Sequence, residues 1–293
     1  MDATELDVGN LPPFLDALAH LCGESGKFLD TYACQPVDGS LAKAEHAAYG
    51  EPRAIQAAWS IANLLLQYAA DHVNAFVKLA DVPANAQASW TCIRSMLESC
   101  SIGAWIVDPA IDAHERAGRT YAYRYEGFSQ QLKLAESPGG DRSKVSIINS
   151  KIDAMEKQAI AAGFSRRANK KGDRCGVGVH MPSATDIIKS ILDDETFYRI
   201  LSAIAHGHHW ALAQMYRVID DGRAPDDTMV MLEKSVTPEM IMAPGSKGAI
   251  AFARLLWNQS RYCGWNMLRL EEIYEDVADG MFLPDVHRFW RTP

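Results

Sequence analysis

The chain has 293 residues, 48% of them hydrophobic and 23% charged, with a formal net charge of -8. That balance provides apolar surface for a sizeable core and excludes wholesale disorder. The acidic excess works against diffuse binding to nucleic acid or anionic membranes, so any such contact needs a local basic patch.

The amino terminus, MDATELDVGN, lacks a basic stretch followed by an apolar run, so no signal peptide is expected. No window approaches the roughly 18 uninterrupted apolar residues of a transmembrane helix. Six cysteines stand at 22, 34, 92, 100, 175 and 263 without any Cys-x-x-Cys pair. Cys92, Cys100 and Cys263 fall within helical patterns, where free cysteine commonly acts as a small buried hydrophobe. A reducing, cytoplasmic setting is the expectation, with no membrane partner.

In chain order, residues 1–50 read as an extension holding one short helix, from about Pro12 to Cys22, followed by a loop-like stretch. Residues 51–293 read as one helical bundle domain. Pro52 suits the first turn of a helix. From there Ile55, Ala58, Ala62, Leu65, Ala69, Val73 and Phe76 recur at helical spacing until Asp81–Pro83. A second helix is predicted over about Ala84 to Val107, stopped at Asp108-Pro109 because a residue before proline avoids the α region. A third runs from about Ile111 to Glu136 and is rich in tyrosine and arginine. A fourth is expected from Asp141 to about Ala162.

Gly163 to Ser183 reads as a glycine-rich basic loop, carrying Arg166, Arg167, Lys170, Lys171 and Arg174. Helices over Ala184–Leu192 and Glu195–Ile219 follow. Between Asp220 and Gly245 the alternating run Met229-Val230-Met231-Leu232 allows a small β-hairpin. A last long helix is expected over Lys247 to Val277, with the tail around Trp290 packed back on the body. The fold class is therefore all-α, a helical bundle with elaborated loops.

The chemistry-bearing residues concentrate on two of these helices. Arg199 and His206 lie seven residues apart, two helical turns less about 20°, so they share a face. Ser202 lies between them on the same stripe, and His209 extends it. From Val82 to Val107 the only charged residues are Arg94 and Glu98, spaced i,i+4. A largely apolar helix must satisfy both internally, because an unpaired buried charge is very costly. They either neutralise each other or reach the Arg199/His206 stripe. His206, His208 and His209 are poorly spaced to chelate one metal ion from a helix, so neither a metal nor a cofactor is assigned. The basic run at 166–174 is either a solvated surface or a phosphate contact.

The Arg199–His206 spacing resembles the motif of the HEPN superfamily, helical bundles with an arginine, a short spacer and a histidine on one helix. The wider arrangement, Arg94 and Glu98 on one helix with Tyr198, Ser202 and His206 on a later one, is similar to an uncharacterised bacterial helical family related to HEPN proteins. The resemblance covers roughly Glu51 to Ile219. It implies metal-independent RNA cleavage, with His206 as general acid or base, Arg199 on the scissile phosphate and Ser202 orienting one of them. Arg94, Glu98 and His209 would support the site, and the 166–174 run would grip RNA.

The resemblance further implies a homodimer, a toxin or anti-phage defence role, and a protein partner such as an antitoxin. Active members of the superfamily usually carry a polar residue after the arginine, where this chain has Ile200. The alternative reading is a non-catalytic helical module that binds a protein or small ligand, with Arg199 and His206 in a buried structural network.

Overall fold

The computed structural model describes residues 11–82, 85–213, 216–219, 231–234, 236–278 and 280–281. Among the described residues there are eleven helices and two antiparallel two-stranded hairpins, so the fold is an all-α bundle, as the periodicity predicts. No helix there is long and apolar enough to cross a membrane.

The centre of the bundle is α4 (Ala86–Ile106), packed against α3 (Pro52–Ala80) and α10 (Pro238–Cys263). Helix α3 begins with Pro52 in its first turn and buries Ile55, Ala58, Ala62, Leu66, Ala69, Val73 and Phe76 along one stripe. Helix α4 is buried on most sides, which explains its near lack of charge. Its contact with α10 is close because each helix offers a glycine to the other. Gly248 of α10 faces Ile93 and Met96, and Gly103 of α4 faces Leu255. With no Cβ at either position the two backbones approach where larger residues would hold them apart.

The first fifty residues hold more helix than predicted. Helix α1 spans Leu11–Thr31, well past Cys22, and α2 covers Leu41–Ala48, with the Ser40 side chain accepting from the Lys43 N–H as a cap. Phe14, Leu18, Leu21 and Phe28 of α1 are buried in the common core. Burying each such side chain is worth about 1.5–3 kcal/mol. Beyond α4 come α5 (Ala113–Glu136) and α6 (Lys144–Ala161), paired with each other. Three of the aromatic and cationic residues of α5, Arg116, Tyr121 and Tyr125, are buried.

Three expectations are corrected. The basic stretch after α6 is a β-hairpin rather than a loop, with β1 (Arg166–Ala168) against β2 (Arg174–Val177). Asn169 builds its turn, accepting from the N–H groups of Lys171 and Asp173. Next, α7 (Ala184–Leu192) is as predicted, but the helix expected over Glu195–Ile219 is divided. Helix α8 (Glu195–Ala205) stops at His206, α9 is a single turn (His209–Leu212), and β3 (Tyr216–Ile219) pairs with β4 (Met231–Lys234).

Gly207 causes that break. It adopts φ +69° and donates to the Ile204 carbonyl, while the His208 N–H bonds to Ala203 O at 2.9 Å. This is a Schellman termination, in which a left-handed glycine satisfies carbonyls that the helix leaves open. The small hairpin thus exists where the alternating run allows one, yet its first strand comes from a stretch predicted as helix. Met229 and Val230 lie outside the described residues, as does Trp290.

Finally, the last long helix is two. Helix α10 begins earlier, with Pro238 in its first turn, and ends at Gly264 (φ +73°), after which α11 (Met267–Ala278) packs on α1.

Candidate functional site

Helix α8 lies on α4 and α7, and its buried residues, Tyr198, Leu201, Ala203 and Ile204, form the face that makes this contact. The remaining face carries Arg199 and Ser202 and leads into the turn of His206 and His208. Arg199 has 64% of its side chain exposed, and His206, His208 and His209 are exposed as well.

The Arg94–Glu98 pair of α4 forms at 2.7 Å and reaches α8, but through Tyr198. The Tyr198 hydroxyl donates to Glu98 Oε1 at 2.5 Å, and the Arg94 guanidinium lies 5.8 Å from the Tyr198 ring centroid. Burial, followed by the bond to Glu98, pushes the Tyr198 hydroxyl up to about 12, so it is a neutral donor at ordinary pH. This triad locks α8 onto α4 while leaving Arg199 outside it.

Arg199 is braced along its own helix. Its Nε and Nη2 donate to Glu195 Oε1 at 2.9 and 2.7 Å, and Lys189 meets the other Glu195 oxygen at 3.3 Å. The two hydrogen bonds from neighbouring guanidinium nitrogens fix the plane of the group and leave its Nη1 edge for another acceptor.

Beside α8 opens a cavity of about 630 Å³. Its wall includes Thr185 of α7, Thr196, Arg199 and Ser202 of α8, and His208 and Trp210 beyond the helix end. Ile200, in the place where a polar residue was noted as usual, also lines it and packs partly on the core. His206 is the cap of α8, and its ring centroid lies 6.4 Å from that of His208. Arg199 and Ser202 therefore share one cavity with an imidazole, His208 by direct lining and His206 as its neighbour. His209 does not line it.

The basic run is not part of this cavity. The β1–β2 hairpin packs on α5 and α6, and two of its cations are used there. Glu156 of α6 is fully buried and pairs with Arg166 at 3.0 Å and Arg174 at 3.6 Å, while Arg174 also reaches Asp153 at 2.5 Å. Lys170 and Lys171 stand exposed at the turn. The run thus acts first as a fastening onto α6, since a buried carboxylate needs such partners.

Among the described residues no three His, Cys, Asp or Glu side chains are placed to share a metal ion. Sequence reasoning passed over His208, Thr185 and Trp210 as site residues. The signal for His208 and Trp210 was Gly207: a helix stop there turns both back beside α8 instead of continuing its faces. Comparison with family models, curated proteins and solved structures finds no match to this chain. The likeness to HEPN proteins therefore rests on the residues of α4 and α8 alone.

Proposed function

We propose that the chain is a metal-independent endoribonuclease of the HEPN kind, acting in the cavity beside α8. One observation supports this above the others: a braced guanidinium, a hydroxyl and an imidazole line the same solvent-open cavity, with a second imidazole 6.4 Å from the first. Those groups match the needs of 2′-hydroxyl transesterification. The 2′-oxygen bonds to phosphorus, the bond to the 5′-oxygen breaks, and a 2′,3′-cyclic phosphate and a 5′-hydroxyl result.

In that reaction one imidazole of the His206/His208 pair takes the 2′-hydroxyl proton, and the other, entering protonated, gives its proton to the departing 5′-oxygen. Arg199 holds charge on the non-bridging oxygens through its outward edge. Ser202 donates to the same phosphate. The resemblance adds a homodimer, a toxin or defence role, and an antitoxin-like partner to this reading.

The test is cleavage of single-stranded RNA with and without EDTA by the wild type, Arg199→Ala, His206→Ala and His208→Ala. All three side chains are exposed, so the variants are expected to melt as the wild type does. EDTA-resistant cleavage that falls at least about a hundredfold in Arg199→Ala and in one or both histidine variants supports the proposal. No cleavage by the wild type discards it.

A second reading has its own observation. Glu98 is engaged by Arg94 and Tyr198, so the charged group of α4 joins helices, and it is not among the residues that line the cavity. In a non-catalytic binding module that triad is the structural network, a role that exposed Arg199 and His206 do not fill.

A further inference from the structure

We propose that Trp210 is the stacking platform of the α8 cavity, holding one unpaired nucleobase of single-stranded RNA on its indole face while Arg199 takes an adjoining phosphate. The inference rests on the RNA reading above and goes further, assigning strandedness and a base-binding residue.

Trp210 keeps 54% of its surface in water although the fold has a large core in which to bury it. Tryptophan gains more than almost any residue from burial, so an indole held in an open cavity is positioned for a ligand's apolar face. No aromatic ring among the described residues packs on it, which leaves that face for an incoming ring. Its placement is not loose. The His208 N–H bonds to Ala203 O, and the Ala211 and Leu212 N–H groups bond to His208 O at 3.0 and 3.1 Å, so the turn bearing Trp210 is tied to the end of α8.

The rest of the cavity suits a nucleotide. Arg199 supplies the cation, and Thr185, Thr196 and Ser202 supply hydroxyls that can bond sugar or base edges. The volume, about 630 Å³, falls within the range of small-ligand sites. Stacking is indifferent to base identity because every base has a π-face, so weak sequence preference is expected. A base-paired strand has no free face to offer, so duplex RNA is excluded.

The experiment measures fluorescence anisotropy of a labelled 2′-O-methyl oligoribonucleotide, which lacks the attacking hydroxyl and so separates binding from cleavage. Trp210→Ala is expected to weaken binding about tenfold or more and Trp210→Phe to retain most of it, with both melting as the wild type does. A strand of the same backbone with its bases removed is expected to bind the wild type as weakly as the intact strand binds Trp210→Ala. Equal binding by Trp210→Ala and wild type overturns the inference, and so does absence of binding by the wild type. Trp210-dependent binding without cleavage of natural RNA removes the nuclease reading and leaves this one standing. Cleavage with Trp210-independent binding does the reverse.

Discussion

Arg116 and Glu45 meet in the middle of the bundle, 71 positions apart in sequence, where the arginine has no exposed surface at all. The guanidinium donates through Nε to Glu45 Oε2 at 2.9 Å and through Nη2 to Oε1 at 3.4 Å, and lies 4.0 Å from the centroid of the Tyr262 ring. Its other donors reach the carbonyls of Ile106, Asp108 and Ile111, which closes the end of α4 and the turn into α5. Tyr262 donates its hydroxyl to Glu45 Oε2 at 2.9 Å.

Removing one partner of this network strands the other as a buried charge. Arg116→Met is therefore expected to cost about 3–5 kcal/mol, read as a lower urea midpoint. The double variant Arg116→Met/Glu45→Leu removes both charges and should recover part of that loss. Tyr262→Phe, which gives up one hydrogen bond, is expected to cost only about 1–2 kcal/mol.

Two glycines inside helices should answer alanine substitution with opposite signs. A Cβ at Gly245 of α10 would lie 2.7 Å from two ring atoms of Phe14 and 3.0 Å from Phe76, both fully buried. Overpacking of about 1–3 kcal/mol outweighs the gain of about 1 kcal/mol in helix propensity, so Gly245→Ala should lower the melting temperature. At Gly127 of α5 a Cβ meets nothing within 4 Å. There Gly127→Ala should raise stability by about 0.5–1 kcal/mol, and calorimetry of the pair checks the contrast.

Buried tyrosines predict the alkaline limit of stability. Burial pushes Tyr121 up to about 12, and burial with the Glu98 bond does the same for Tyr198, against about 10 in an unfolded chain. The folded state thus favours the protonated phenol. That contribution is whole below about pH 10 and is lost as pH climbs toward about 12. Urea midpoints measured across this interval should fall steeply, and less steeply in Tyr198→Phe.

Thiol reactivity should separate the cysteines. Cys175 is exposed on β2, whereas Cys100 and Cys263 are buried and their thiols are pushed far above the ordinary range by burial. Thiolate is the reactive form, so alkylation of the native protein followed by peptide mapping should find Cys175 modified first. Cys100 and Cys263 should stay unmodified until denaturant is added.

The helices most legible in the sequence were those whose signals agree. Pro52, the apolar stripe from Ile55 to Phe76 and the break at Asp81 placed α3 almost to the residue. The Asp108-Pro109 step did the same for the end of α4. Gly207 falls inside the helix predicted over Glu195–Ile219, and Trp210, Ala211 and Leu212 continue an apolar pattern after it. A left-handed φ and its two hydrogen bonds are invisible to periodicity. The β1–β2 hairpin escaped because its short strands hold charged residues whose partner, Glu156, lies on α6.

At the site, the closeness of Arg94 and Glu98 followed from their shared helix face. That Glu98 would choose Tyr198 over Arg199 depends on how α8 is rotated against α4. Arg116 gave no sign of its buried role, since its partner Glu45 belongs to a helix the sequence did not reveal.

The stop at Gly207 also works as a ruler. Because α8 ends in a turn with both closing hydrogen bonds made, the directions of His206 and His208 relative to Arg199 are counted off in whole residues from the first turn of the helix. Inserting a single alanine between Ala205 and His206 would leave the buried face of α8 and its brace to Glu195 intact, yet rotate both imidazoles by about 100° away from the guanidinium. Angular phase at the end of α8 is what sets His208 on the cavity that Arg199 lines, with His206 beside it.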